Sequence, residues 1–171
     1  VAATSTNAAR RAARLARFDL VPQPALLTID DALKAESYVL PPVHVTRGDA
    51  AAALARAPHR LRGKVAAGGQ DHFYLEGQIA LAIPREHGGM QIFTSTQHPG
   101  EVQHMVAHAL GLAAHDVVVE CRRMGGGFGG KETQMSLFAC VAAIVARKTG
   151  RAAKVRLDRD DDMRSTGKRH A

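Results

Sequence analysis

The 171-residue sequence predicts an α+β fold, and three observations carry that expectation. Residues 72–83 partly alternate apolar with polar or small side chains, the period of a half-buried strand. Val117-Val118-Val119 is a β-branched run suited to a buried strand. Residues 137–146 are almost wholly apolar inside a segment of helical composition, which predicts a helix buried on most sides.

Taken in order, residues 5–17 read as a helix. Ser5 or Thr6 can accept a backbone N–H at its start, and the Ala and Arg that follow are strong helix formers. Phe18 to Val21 reads as a strand, and Pro22-Gln23-Pro24 breaks the pattern. That turn is the expected domain boundary, dividing the chain into 1–22 and 23–171. Asp30 caps a short helix through Ala35, and Asp49 caps an Ala-rich helix ending at Pro58. Strands are expected at 59–66 and 72–83. Gly88-Gly89 turns the chain, and Met90 to Thr94 returns as a strand. Pro99 opens a helix to about Leu110, where its missing N–H costs little. A strand over 116–122 feeds a Gly-rich loop, and a helix follows from about Glu132 to Lys148, ended by Gly150. Ala153 to Leu157 is the last strand, and Asp158 begins a charged turn or short helix.

Hydrophobic residues make up 46 % of the chain, enough for a core. Aromatics are only 4 % and Trp is absent, so Leu, Val, Ile and Met must fill that core. The net charge is +7, but the basic residues are spread from Arg10 to Arg169 without a dense run, which argues against a nucleic-acid partner. Cys121 and Cys140 form no CxxC motif, so neither a disulfide framework nor a structural zinc site is expected. No stretch is apolar enough to span a membrane, and there is no secretory signal. The chain starts at Val1 and stops at Ala171 without closing its organisation; both ends read as cuts.

Five of the six residues from Gly125 to Gly130 are glycine, with Phe128 the exception. A strand, a glycine loop and a helix together suit an anion or a polar cofactor, because the backbone can approach closely and free N–H groups point outward. Gly125 and Gly130-Lys131 match the first part of the phosphate-binding GxxxxGK[ST] motif, but Glu132 stands where a metal-binding hydroxyl is required. A carboxylate there would repel phosphates, so nucleoside triphosphate binding is the last of the readings. His104 and His108 share a helix face, but the general base of the HExxH zinc motif is missing: Met105 follows His104. These histidines are expected at the surface.

Arg123-Met124-Gly125-Gly126-Gly127-Phe128-Gly129-Gly130-Lys131-Glu132-Thr133 resembles the signature loop of the xanthine dehydrogenase and aldehyde oxidase family. Further matches follow the same order: Gly69-Gln70-Asp71-His72-Phe73-Tyr74-Leu75-Glu76, Phe93-Thr94-Ser95-Thr96-Gln97, Leu157 to Met163, and Thr166 to His170. Residues Pro24 to Ala32 also fit, so the resemblance spans nearly the whole chain. It implies the first part of a molybdopterin-binding domain over 23–171, preceded over 1–22 by the tail of a small α/β domain.

The resemblance also implies roles. Gln97 matches the glutamine whose uncharged amide hydrogen-bonds an oxygen ligand of molybdenum. Phe128 and Gly129 lie beside the metal centre, and neither Gln97 nor Phe128 ligates it directly. Glu132 matches the residue that hydrogen-bonds a purine ring in xanthine-oxidising members, and it tilts the substrate away from aldehydes. The implied reaction is hydroxylation of hypoxanthine and xanthine toward urate, with water as oxygen source. An aldehyde oxidase of the same superfamily is the runner-up, and a non-catalytic binding remnant is the alternative from another class. Molybdenum–molybdopterin is the implied cofactor. FAD and [2Fe–2S] clusters belong to other domains or subunits, since two cysteines cannot hold a four-cysteine cluster. The family's catalytic glutamate is expected beyond Ala171, so the isolated chain is expected to be inactive and poorly folded. The intact enzyme is expected to be oligomeric and cytoplasmic, without nucleic-acid or membrane partners.

Overall fold

A computed structural model of the chain describes residues 1–169. The chain divides into two compact units, Val1–Lys64 and the remainder from Val65 onward. The first unit holds three short helices, α1 (Thr6–Ala13), α2 (Ile29–Lys34) and α3 (Ala50–Arg56). Two of them start as the sequence predicts. The Ala8 N–H donates to Ser5 Oγ, and the Ala52 N–H donates to Asp49 Oδ1. The start of α2 is a correction. Its cap is Thr28, whose hydroxyl accepts the Asp31 N–H at 3.0 Å and donates to the Asp31 carboxylate at 2.6 Å. Asp30 instead sits in the first turn, where a negative charge faces the positive helix end. The strands expected at 18–21 and 59–66 do not form. A strand is held by its ladder, and neither segment has a partner among the described residues. The helices of this unit bury none of their residues.

The second unit carries β1 (Ile79–Pro84), β2 (Met90–Thr94), α4 (Pro99–Leu110), β3 (Val117–Glu120), α5 (Gln134–Thr149), β4 (Ala153–Arg156) and α6 (Arg159–Ser165). The sheet order is β3-β2-β1-β4. β1 is antiparallel to both β2 and β4, and α4 is the crossover that lets β3 run parallel to β2. The α+β expectation holds.

The period of two sorts each strand between the faces of the sheet. Ala80 opposes Thr94 and Ala82 opposes Ile92, and all four are buried on the helix side. Leu81 and Phe93 pair on the other face and stay half-buried. The core is built from Met90, Ile92, Val102, Val106, Val117, Met135 and Phe138. Ala80 and Ala82 are met by the alanines of α5 at 139, 142, 143 and 146. Side chains this small let the helix lie close on the sheet, so the scarcity of aromatics does not leave the core hollow.

Two elements depart from expectation. Only the C-terminal half of 72–83 is a strand. Upstream, Asp71 Oδ1 accepts the Phe73 N–H at 2.7 Å and Phe73 takes a left-handed φ of 50°, so the chain turns. The helix expected from Glu132 starts at Gln134 because the Lys131 carbonyl is used elsewhere, by Gln97 N–H and Thr96 Oγ1. This helix is also less covered than its composition suggests: Leu137, Val141 and Ile144 form an exposed stripe. Gly150 ends it in the left-handed conformation, as expected. Asp158 caps α6 by accepting the Asp161 N–H. No helix among the described residues is long and apolar enough to cross a membrane.

Ile92 is fully buried at the centre of the sheet. Ile92→Ala is expected to cost about 2–5 kcal/mol. Calorimetry on the full-length protein should show a lower melting temperature; an unchanged one would remove Ile92 from the core.

Candidate functional site

Gln97 helps to stitch the turn after β2 to the loop between β3 and α5. Its backbone N–H donates to the Lys131 carbonyl at 2.9 Å. Its side-chain Oε1 accepts the N–H of Gly129 at 3.0 Å and of Lys131 at 3.2 Å. Two N–H donors can share only an oxygen, so the amide orientation is fixed and Nε2 becomes the outward donor. Among the described residues Nε2 has no partner. The loop glycines make this contact possible. A Cβ on Gly127 would lie 2.5 Å from Gln97 Oε1, and Gly129 holds φ +90°, where an L side chain is strained.

Phe128 is the exception in the loop and it is strained. Its φ is 55°, in the left-handed region that a bulky residue avoids, and it is 75 % exposed. Glu132 is exposed just beyond the loop and makes no hydrogen bond or ion pair among the described residues. The structure therefore brings Gln97 and Gly129 into contact, keeps Phe128 beside them in the loop, and leaves Glu132 facing outward.

Beneath the loop lies a polar network that sequence reasoning did not assign. Lys131 is completely buried. Its Nζ donates to Ser95 Oγ at 2.9 Å and to Glu76 Oε2 at 3.3 Å, and lies 4.8 Å from the centre of the Tyr74 ring. Ser95 Oγ and the Gly125 N–H donate to the same Glu76 oxygen, at 2.6 Å and 2.9 Å. Burial pushes the Glu76 carboxyl up, but those hydrogen bonds and the Lys131 charge outweigh it and hold it below the ordinary carboxylate value. For Lys131 burial dominates and lowers it, although Glu76 pulls the other way. The opposite balance follows from exposure: the Glu76 side chain stays 41 % open, whereas the lysine is stripped of water on all sides.

A second set anchors the floor. Tyr74 donates to Asp162 Oδ1 at 2.6 Å, and Gln78 donates from its backbone to Asp162 Oδ2 and from Nε2 to Tyr74 Oη and the Gly130 carbonyl. Burial first, then the Asp162 hydrogen bond, push the Tyr74 hydroxyl up to about 12, so it stays a neutral donor. Glu76, Ser95 and Asp162 fall inside the motifs that carry the family resemblance, which is the one signal pointing to them. Lys131 was read through the phosphate-binding motif and as part of the loop that resembles the family's signature, but it was given no role. Its ammonium points into the protein and is paired with a carboxylate, so it cannot reach a phosphate outside the loop. His104 and His108 are both exposed on α4.

Comparison with known proteins gives the family. A family model described as the molybdopterin cofactor-binding domain matches residues 32–171. The chain is 45 % identical over 172 residues to the xanthine dehydrogenase of Drosophila subobscura and 42 % identical over 171 residues to the xanthine dehydrogenase/oxidase of Mus musculus. Each alignment covers 99 % of this chain but only 13 % of the relative. Among solved structures, the aldehyde oxidoreductase of Desulfovibrio gigas superposes with a TM-score of 0.82 at 27 % identity, over 98 % of this chain and 19 % of that one. From its glycine loop to its sheet, the chain belongs to the molybdopterin cofactor-binding domain family.

Proposed function

We propose that this chain supplies part of the molybdenum-cofactor pocket of a hydroxylase that oxidises hypoxanthine and xanthine toward urate, with water as oxygen source. The observation that carries the reading is the Gln97 amide, whose oxygen is held by two loop N–H groups so that its NH₂ is the outward donor. The other residues fit a polar cofactor lying against the loop. Gly127 leaves room for the Gln97 amide against the loop, and Phe128 is held out in a strained conformation with nothing apolar to gain from exposure. When bound, the molybdenum–molybdopterin group supplies a two-electron redox centre. Gln97 Nε2 would orient that group by a hydrogen bond, Phe128 and Gly129 would wall it from water, and Glu132 would hydrogen-bond the purine ring.

In this reading residues 1–22 close a preceding small domain and 23–171 open the molybdenum domain. FAD and iron–sulfur clusters sit in other domains or subunits, and residues 1–171 alone do not turn over substrate. The likeness to the Desulfovibrio gigas aldehyde oxidoreductase favours an aldehyde substrate as the second reading. Glu132 favours the purine reading, because an aldehyde offers no ring nitrogen for that side chain.

Gln97→Ala in the full-length protein should lower molybdenum content or kcat by about 10–100-fold, read by elemental analysis and steady-state kinetics. Wild-type values for both would remove Gln97 from the pocket. Glu132→Ala should lower kcat/KM for xanthine by about 10²–10³-fold and leave aldehyde turnover nearly unchanged. A wild-type protein that oxidises aldehydes but not xanthine would establish the second reading.

A further inference from the structure

One carboxylate oxygen reaches both ends of the glycine loop. Glu76 Oε2 accepts from the Gly125 N–H where the loop begins and from Lys131 Nζ where it ends, with Ser95 Oγ–H as the third donor. The Glu76 backbone N–H also donates to the Gly125 carbonyl at 3.1 Å, so residue 125 is held from both its N–H and its carbonyl. At the other end, Lys131 fixes Gln97 through its own backbone: its carbonyl accepts the Gln97 and Thr96 donors, and its N–H meets Gln97 Oε1. The side chain of Lys131 is therefore the anchor, and its main chain is the arm that aims the Gln97 amide.

A fully buried ammonium is an expensive way to fill space, and an apolar side chain of similar length would serve packing as well. The carboxylate is also too far from being a mere counter-ion: two of its three donors are neutral groups that need an acceptor at this place. The geometry points to Glu76 and Lys131 as a positioning pair, a clamp that sets the spacing of the loop ends and thereby aims Gln97 at the cofactor. This inference rests on the reading of the loop as the cofactor-facing surface. Neither residue touches the cofactor in it; both act through Gln97 and the loop backbone.

The test uses Glu76→Gln, Ser95→Ala and the double variant Glu76→Gln/Lys131→Met in the full-length protein. The double variant leaves no unpaired buried charge, so it separates the clamp from the cost of an orphaned ammonium. Molybdenum per polypeptide, the Mo(V) electron paramagnetic resonance signal, melting temperature, kcat and KM are measured on each. The expected double variant melts close to wild type and keeps its KM, but it loses about 10–100-fold in kcat or molybdenum content and shows a shifted Mo(V) signal. Ser95→Ala should fall between it and wild type. A double variant with wild-type molybdenum, signal and kcat would overturn the clamp. So would a double variant that cannot fold beside a Ser95→Ala protein with the wild-type signal, since the pair would then be structural alone. Absence of molybdenum from the wild-type protein would instead overturn the cofactor reading itself and, with it, the clamp.

Discussion

Oε2 of Glu76 is one carboxylate oxygen that gathers a hydroxyl, a backbone amide and a buried ammonium. Each donor comes from a different element: Ser95 follows β2, Gly125 follows β3, and Lys131 precedes α5. Glu76 itself leads into β1. The loop could not hold its shape through its own side chains, because it has almost none. Its order has to be imposed from below, by groups on the strands that flank it. Removing hydrogen-bond capacity from that oxygen would deprive two buried donors, Ser95 and Lys131, of a partner, which is the costly side of the hydrogen-bond balance.

The same logic explains why charge is tolerated so deep. The ammonium of Lys131 gives up its water, and burial alone would favour the neutral amine. A carboxylate, a hydroxyl and an aromatic face surround it in exchange. Below, the floor follows a similar rule with neutral partners. Asp162 accepts from Tyr74, from the Gln78 backbone and from Thr166, so the one buried carboxylate of α6 is saturated by donors rather than by a cation. Such networks specify one arrangement more than they add stability, although here the buried Gln78 Oε1 has no hydrogen-bond partner among the described residues. The pocket proposed above would need that kind of specification, because an ångström of drift in the Gln97 amide changes what it can reach.

Much of the fold was legible. β2 and α4 fall where the sequence places them, since Gly88-Gly89 and Pro99 are local signals that no distant contact overrides. The caps at Ser5, Asp49 and Asp158 are equally local. The misses share a cause. Residues 72–78 have strand composition but spend their hydrogen bonds on the glycine loop and on α6, which are 49 and more residues away. The start of α5 is displaced because a turn 34 residues earlier claims the Lys131 carbonyl and amide. For the site, the family motifs pointed to Gln97, Phe128, Gly129 and Glu132, while the buried Lys131 was hidden by its position. A lysine after glycines looks like a surface residue until the carboxylate that draws it inward is seen.

The long-range pairing within the second unit also sets an order of events in time. Tyr74 and its acceptor Asp162 are 88 residues apart, and β1 needs β4 as its second neighbour. At roughly 5–20 residues per second, a ribosome would deliver Asp162 roughly 4–18 s after Tyr74. During that interval the first hairpin, β1 with β2, can form, but the floor under the glycine loop has no acceptor to close on. The cradle is therefore among the last parts of this unit to be completed during synthesis.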